Sequence, residues 1–322
     1  MRQRNASTFS PAMARFEAGK MGALTKLSTM CDSLEHLLSQ RDADGSLLEA
    51  NQLSRRMDIL DRLDVYFPEG DLPGIDWELV NSELGRLGRA IRDRLEAANS
   101  ELYRSIRLEI QRGIRPATFV QLIQQLRSET RPLQPSPGNG YDFLDDLISG
   151  VFDFDIPAQE PAHSGPEIVP YQPTPARHIL ALVAAGAISE GDVVLDLGSG
   201  LGHVPLLVSL CTGARSVGVE LELSYVACAR QCAQALNLSS VSFLEGDARD
   251  VDLSSGTVFY LYTPFTGSIL RAVMSLLRKQ ASIRPIKICT FGPCTLLISR
   301  EPWLRAMTDP DPDQITIFTS RT

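Results

Sequence analysis

The chain has 322 residues, 43% of them hydrophobic and 22% charged, with a formal net charge of −8. This is the composition of a globular protein long enough for two domains. The longest uncharged apolar run, residues 179–188, is about half of the roughly 20 residues a bilayer crossing requires, so no membrane partner is expected. Residues 1–10 carry arginines with no apolar stretch behind them, so no secretory leader is expected either. The six cysteines (Cys31, Cys211, Cys228, Cys232, Cys289 and Cys294) form no disulfide-like framework, and a cytoplasmic, reduced protein is the expectation.

Residues 1–131 read as a helical N-terminal domain. Leu24, Leu27, Cys31, Leu34 and Leu38 keep helical spacing, and Ser46 with Glu49 reads as a capping box ahead of Leu53, Met57 and Leu60. A long helix is expected from an Asp76 N-cap to Gly113. Its apolar residues Leu84, Leu87, Ile91, Leu95, Ala98, Leu102 and Ile106 repeat every eleven residues, which keeps one face buried. Gly113 and Pro116 then close it and open another helix over 117–128. Nothing here carries evident chemistry. The apolar face calls for other helices or a second subunit, which leaves packing, a homodimer through these helices, or substrate recognition open.

Residues 132–169 read as a Pro/Gly-rich linker holding a short amphipathic helix (Tyr141, Phe143, Leu144, Leu147, Ile148, Val151, Phe152). From residue 170 to 322 short β-branched segments alternate with helical ones. Strands are expected near 192–197, 216–220, 241–245, 257–262, 286–291 and 314–319, and helices near 175–188, 201–211, 222–237 and 266–279. That alternation implies an α/β fold with a doubly wound, mostly parallel sheet behind the all-α N-terminal domain. A seventh strand could come from residues 295–299, paired as a hairpin with 315–319, or be missing.

The densest signal is Asp196-Leu-Gly198-Ser199-Gly200-Leu-Gly202 after the apolar strand at 193–195. Glycines let the turn approach a ligand closely at the carboxyl end of the strand. A dinucleotide fingerprint would need glycine where His203 stands, and no Gly-Lys-Ser/Thr of a P-loop follows. A carboxylate at Asp196 repels pyrophosphate and suits an ammonium group. Glu220 ends the next strand, followed by Leu221, 24 residues after Asp196; it can accept both hydroxyls of a ribose. The third strand ends in Gly246-Asp247-Ala248, an acid and a backbone donor for an adenine edge.

These three segments resemble the nucleotide-binding motifs of class I (seven-strand, Rossmann-like) S-adenosylmethionine (SAM) dependent methyltransferases. The resemblance implies SAM as cofactor, held by Asp196, Gly198, Ser199, Gly200, Gly202, Glu220, Leu221, Asp247 and Ala248. Tyr171 and Thr174 would close over its methionine part, and Tyr262 and Thr263 would stand at the end of strand four. A narrower likeness links the chain to the non-SET histone-lysine methyltransferase family. It rests on the helical N-terminal part, Asp-Leu-Gly-Ser-Gly, the aromatic strand-four loop and Tyr171-Gln-Pro-Thr174, although that family's Asn pair is Leu261-Tyr262 here.

The acceptor should lie at the end of strand four, which reads Tyr260-Leu-Tyr262-Thr263-Pro264-Phe265. Amino-directed members of the superfamily often carry Asn/Asp-Pro-Pro-aromatic there, and only Pro264-Phe265 remains. Tyr262 is the candidate catalytic residue, as the orienter of the acceptor nucleophile. A small-molecule acceptor is favoured over a protein one. Nucleic acid is disfavoured because the net charge lies wholly after residue 135, where 12 Lys+Arg face 20 Asp+Glu. Cys228 and Cys232 read as small core residues and no metal is implied. The degenerate strand-four motif keeps a non-catalytic SAM-binding module open.

Overall fold

A computed structural model describes residues 45–67, 83–127, 138, 140–157, 162–163 and 165–321. The helically spaced run at 24–38 and the Asp76 cap lie outside them. The chain forms two compact units, one of residues 1–102 and 125–131, the other of 103–124 and 132–322.

In the first unit, helix α1 (Leu53–Tyr66) and the first part of α2 (Glu83–Gln111) bury Ile59, Leu60, Leu63, Phe67 and Leu95 together. Residues 45–48 form a 3-10 turn, and α1 starts from Gln52 with no side-chain cap, so the Ser46–Glu49 box does not begin this helix. The buried face of α2 also carries polar groups. Arg92 pairs with Asp64 at 2.7 Å and donates to the Phe67 carbonyl. Asn99 accepts from the fully buried Arg56 at 2.6 Å. Both are needed because a buried guanidinium is costly without acceptors.

The second unit is built on a seven-stranded sheet in the order β3-β2-β1-β4-β5-β7-β6. Its strands are β1 (Val193–Leu197), β2 (Arg215–Glu220), β3 (Val241–Glu245), β4 (Val258–Tyr262), β5 (Lys287–Phe291), β6 (Leu304–Ala306) and β7 (Thr316–Ser320). The first five are parallel, and β7 runs antiparallel between β5 and β6. The remaining helices are α3 (Pro116–Arg127), α4 (Phe143–Phe152), α5 (Ala176–Ala184), α6 (His203–Thr212), α7 (Leu223–Ala235), α8 (Gly267–Ala281) and the short α9 (Cys294–Ile298). The doubly wound reading of the sequence therefore holds.

The seventh strand is present but elsewhere than residues 295–299. Gly292, at φ +81°, turns the chain after β5, and the buried Cys294, Thr295 and Ile298 then form one side of α9. The partner of β7 is β6, only three residues long, too short to show a period of two. Residues 103–124 belong to this unit through bonds such as Arg107 to Asp153 at 2.8 Å and Gln111 to the Ala235 carbonyl.

Order reverses at β1, which pairs with β2 on one side and β4 on the other. A ligand crevice is expected beyond the carboxyl ends of those strands. No described helix is long and apolar enough to cross a membrane.

Candidate functional site at the carboxyl ends of β1 to β4

Asp196 sits one residue before the end of β1, 3% exposed, in a strand that is otherwise apolar. No described residue donates a hydrogen bond to its carboxylate. Burial, and then the nearby Glu220, push its pKa well above the usual carboxylate range. Ser199 adds a second lone group: its buried Oγ, against Gly218, has no hydrogen-bond partner among the described residues.

Glu220, closing β2, turns back to the glycine loop. One carboxylate oxygen accepts from the Gly200 amide at 2.8 Å; the other accepts from the Leu221 and Glu222 amides at 2.7 and 2.9 Å. The loop itself leaves no room for side chains. A Cβ at Gly200 would overlap the Tyr171 ring, and one at Gly198 would overlap Pro264. Both glycines have positive φ, +53° and +88°. The loop that follows β1 is thus sandwiched between Tyr171 and the β4 end, with Gly202 capping α6.

Tyr171 bonds His203 Nδ1 through its hydroxyl at 3.1 Å. Burial lowers the His203 imidazole to about 4, so it is neutral at pH 7. Thr174 is buried, and its hydroxyl is shared with the Tyr260 hydroxyl at 3.0 Å. Tyr171 therefore reaches the glycine loop, while Thr174 is engaged by Tyr260 of β4.

At β3 the picture differs. Asp247 places both oxygens on the Arg249 guanidinium, at 2.9 and 2.6 Å, and one of them also accepts the Arg249 amide. The Arg249 hydrogen bonds hold its pKa below the usual value. Ala248 beside it is buried.

At β4, Tyr262 packs its ring on Phe291, centroids 4.6 Å apart. Thr263 has φ +39°, a left-handed conformation that a β-branched residue rarely adopts. Its hydroxyl holds the turn by donating to the Phe291 carbonyl at 3.0 Å and accepting from the Cys294 amide at 3.1 Å. The Thr263 side chain is thus engaged with residues 291 and 294, and the chain bends just after Tyr262.

Two segments complete the site that sequence reading assigned to the linker. Residues 162–163 donate to Glu222 after β2. Farther along, Ile168 bridges Phe265, and Glu167 caps α8 through the Ser268 and Ile269 amides. With Tyr171 on Gly200, this stretch runs past the end of β1, which lies between β2 and β4. The other comprises residue 138 and residues 140–145. Tyr141 donates to the Pro173 carbonyl at 2.9 Å, Asp145 accepts from the Ala176 amide at 2.7 Å, and Arg177 and His178 donate to the Gly138 carbonyl. Burial raises the Asp145 carboxyl to about 6. The Asp142–Asp145 capping box that starts α4 was the one sequence signal for this anchoring.

Among the described residues, no group of three or more His, Cys, Asp or Glu is placed to hold a metal ion. For SAM, the fit is good at β1 and β2. Asp196 is a buried acid lacking a cationic partner, and Glu220 stands where a ribose acid belongs. At β3 the acid is already satisfied by Arg249.

No protein-family model matches the chain, and no curated protein does. Among solved structures it is similar to an RNA methyltransferase from Salinibacter ruber crystallised with S-adenosyl-L-homocysteine (27% identity over 46% of this chain and 92% of that one, TM-score 0.37). It is also similar to a precorrin-6y C5,15-methyltransferase from Geobacter metallireducens (15% identity, 50% and 93% covered, TM-score 0.36). A third is the Pyrococcus abyssi tRNA (uracil-54, C5)-methyltransferase, with 16% identity, 46% of this chain but only 39% of that one covered, and a TM-score of 0.36. By its strand order and its antiparallel β7, the second unit has the class I, seven-strand, Rossmann-like fold of SAM-dependent methyltransferases.

Proposed function

We propose that this chain is a SAM-dependent methyltransferase acting on a small-molecule acceptor. The observation that carries the reading is Asp196, a carboxylate 3% exposed with no donor of its own. A buried acid in that state is costly unless a cation meets it, and the ammonium of an amino acid would do so. Glu220 would take the ribose hydroxyls. Gly198, Ser199, Gly200 and Gly202 would supply the close backbone approach, with Leu221, Asp247 and Ala248 along the base and Tyr171 over the loop.

When bound, SAM would supply a sulfonium methyl with a neutral thioether as leaving group. The protein's share is then to orient and to exclude water. Tyr262 and the bent Thr263 lie at the end of β4, where they would orient the acceptor. A small acceptor is favoured by the cover that residues 162–163 and 165–171 give the strand ends, and by the acidic balance after residue 135.

Turnover tests it. Incubated with methyl-labelled SAM and a cell extract separated by size, the protein should release S-adenosylhomocysteine and label a species in the small-molecule fraction. Label confined to protein would replace the acceptor class, and binding without any turnover would leave a SAM-binding module.

A further inference from the structure

A tyrosine in the middle of a buried sheet needs a reason that a phenylalanine would not. Tyr260 is 1% exposed at the centre of β4, between the apolar Phe259 and Leu261. Its hydroxyl is costly there unless a partner meets it. The partner is the Thr174 hydroxyl at 3.0 Å, on a residue itself 6% exposed. Pro173 and Pro175 stiffen the backbone on both sides of Thr174, and the bond to Tyr260 fixes its side chain.

Sheet register brings Tyr260 to the acid of β1. Asp196 pairs with Tyr260 on β4 and with Gly218 on β2, and neighbours in register share one face of the sheet. Gly218 has no side chain, and the Ser199 hydroxyl and the Phe243 ring take the place of its Cβ. Asp196 is therefore flanked by Ser199 on one side and Tyr260 on the other, and neither donates to it. The Tyr260 and Thr174 hydroxyls carry two protons, and one is spent between them. Burial keeps the phenol protonated, and a phenol is the better donor of the two. Tyr260 thus donates and Thr174 accepts, which leaves the Thr174 proton without an acceptor among the described residues. A hydroxyl that accepts one hydrogen bond donates the next more strongly.

We propose that Tyr260 is a positioning residue for the amino-acid end of the cofactor, holding the Thr174 hydroxyl where it donates to the ligand carboxylate. This rests on the SAM-dependent reading above. An α-amino acid presents two opposite charges a few bonds apart. Asp196 suits the ammonium and would repel the carboxylate, which needs donors instead. The unspent Thr174 proton is such a donor, and hydrogen bonds to a charged acceptor are the stronger kind. Tyr260 itself touches no part of the ligand. It acts by keeping the threonine hydroxyl turned and polarised, which a phenylalanine of the same shape would not do.

Decarboxylated S-adenosylhomocysteine, which keeps the ammonium and lacks the carboxylate, separates the two halves of that recognition. It and S-adenosylhomocysteine are titrated by calorimetry into the full chain. The wild type should prefer S-adenosylhomocysteine by about tenfold, the scale of a hydrogen bond to a charged acceptor. Thr174→Val, which keeps the shape and removes the donor, should erase that preference. Tyr260→Phe should cut it to about threefold, with affinity for the decarboxylated compound unchanged. Adding Tyr260→Phe to Thr174→Val should cost S-adenosylhomocysteine nothing more, because the tyrosine acts through the threonine. Thr174→Ser, which keeps the hydroxyl, should retain most of the preference. Equal binding of the two compounds by the wild type overturns the proposal, as does a preference that either Thr174→Val or Tyr260→Phe leaves intact. A parallel loss of both compounds in Tyr260→Phe marks a hydroxyl that only supports the fold, and also overturns it. Failure of the wild type to bind either compound removes the SAM reading itself.

Discussion

The ends of β1 and β3 carry the same residue type in opposite states. Asp196 is 3% exposed and meets no donor; Asp247 has a side chain 24% exposed and is forked by Arg249 two residues on. Both belong to the pattern from which the cofactor was read. Only the first is incomplete without a ligand. A motif residue that has found a partner within its own turn tells less about binding than one left waiting in an apolar strand.

Three substitutions sharpen that contrast. Asp196→Asn has the largest expected effect: removing one partner of a buried charge pair should weaken S-adenosylhomocysteine binding by about 3–5 kcal/mol. The same change should raise the melting temperature of the free protein by about 2–4 °C. The sign follows from linkage. The folded-state pKa of Asp196 is raised, so its contribution to stability is full below the unfolded value of about 4 and is lost as pH rises towards the folded one. The gain from Asn should therefore be larger at pH 7 than at pH 4. A variant that binds normally, or melts lower at both pH values, removes Asp196 from the account.

Glu220→Ala should cost about 1.5–3 kcal/mol of S-adenosylhomocysteine affinity, the scale for hydrogen bonds to a charged acceptor. The Gly200, Leu221 and Glu222 amides also lose their acceptor, so hydrogen exchange at Gly200 should quicken. The smallest effect belongs to Asp247→Asn, because exposed ion pairs are weak and Asn can still accept from an adenine amino group. It should change affinity by less than about 1 kcal/mol. If it costs as much as Asp196→Asn, the contrast between the two strand ends is wrong.

The sheet was largely legible in the sequence. Short apolar runs ending in Asp196, Glu220 and Asp247 announce parallel strands with a ligand edge, and glycines cluster where backbone must turn. Other features were hidden for physical reasons. Residues 295–299 look like a strand by composition, but the left-handed Gly292 turns the chain into a helix there. Nothing about a threonine suggests φ +39° at Thr263; the strain is held by the Phe291 carbonyl and the Cys294 amide, 28 and 31 residues away. Residues 140–145 have linker composition, and what fastens them to the segment after Tyr171 is a set of hydrogen bonds to residues 173–178. Long-range bonds of this kind leave no periodicity to read.

The most direct test is calorimetry of the full chain with S-adenosylhomocysteine at pH 5 and pH 7, with NAD as the control. Burial raises the Asp196 pKa, and an ammonium partner favours the ionised carboxylate. Binding should therefore tighten as pH rises and exceed NAD binding by far. Tight binding of NAD with none of S-adenosylhomocysteine, or S-adenosylhomocysteine binding that weakens as pH rises, would contradict the account.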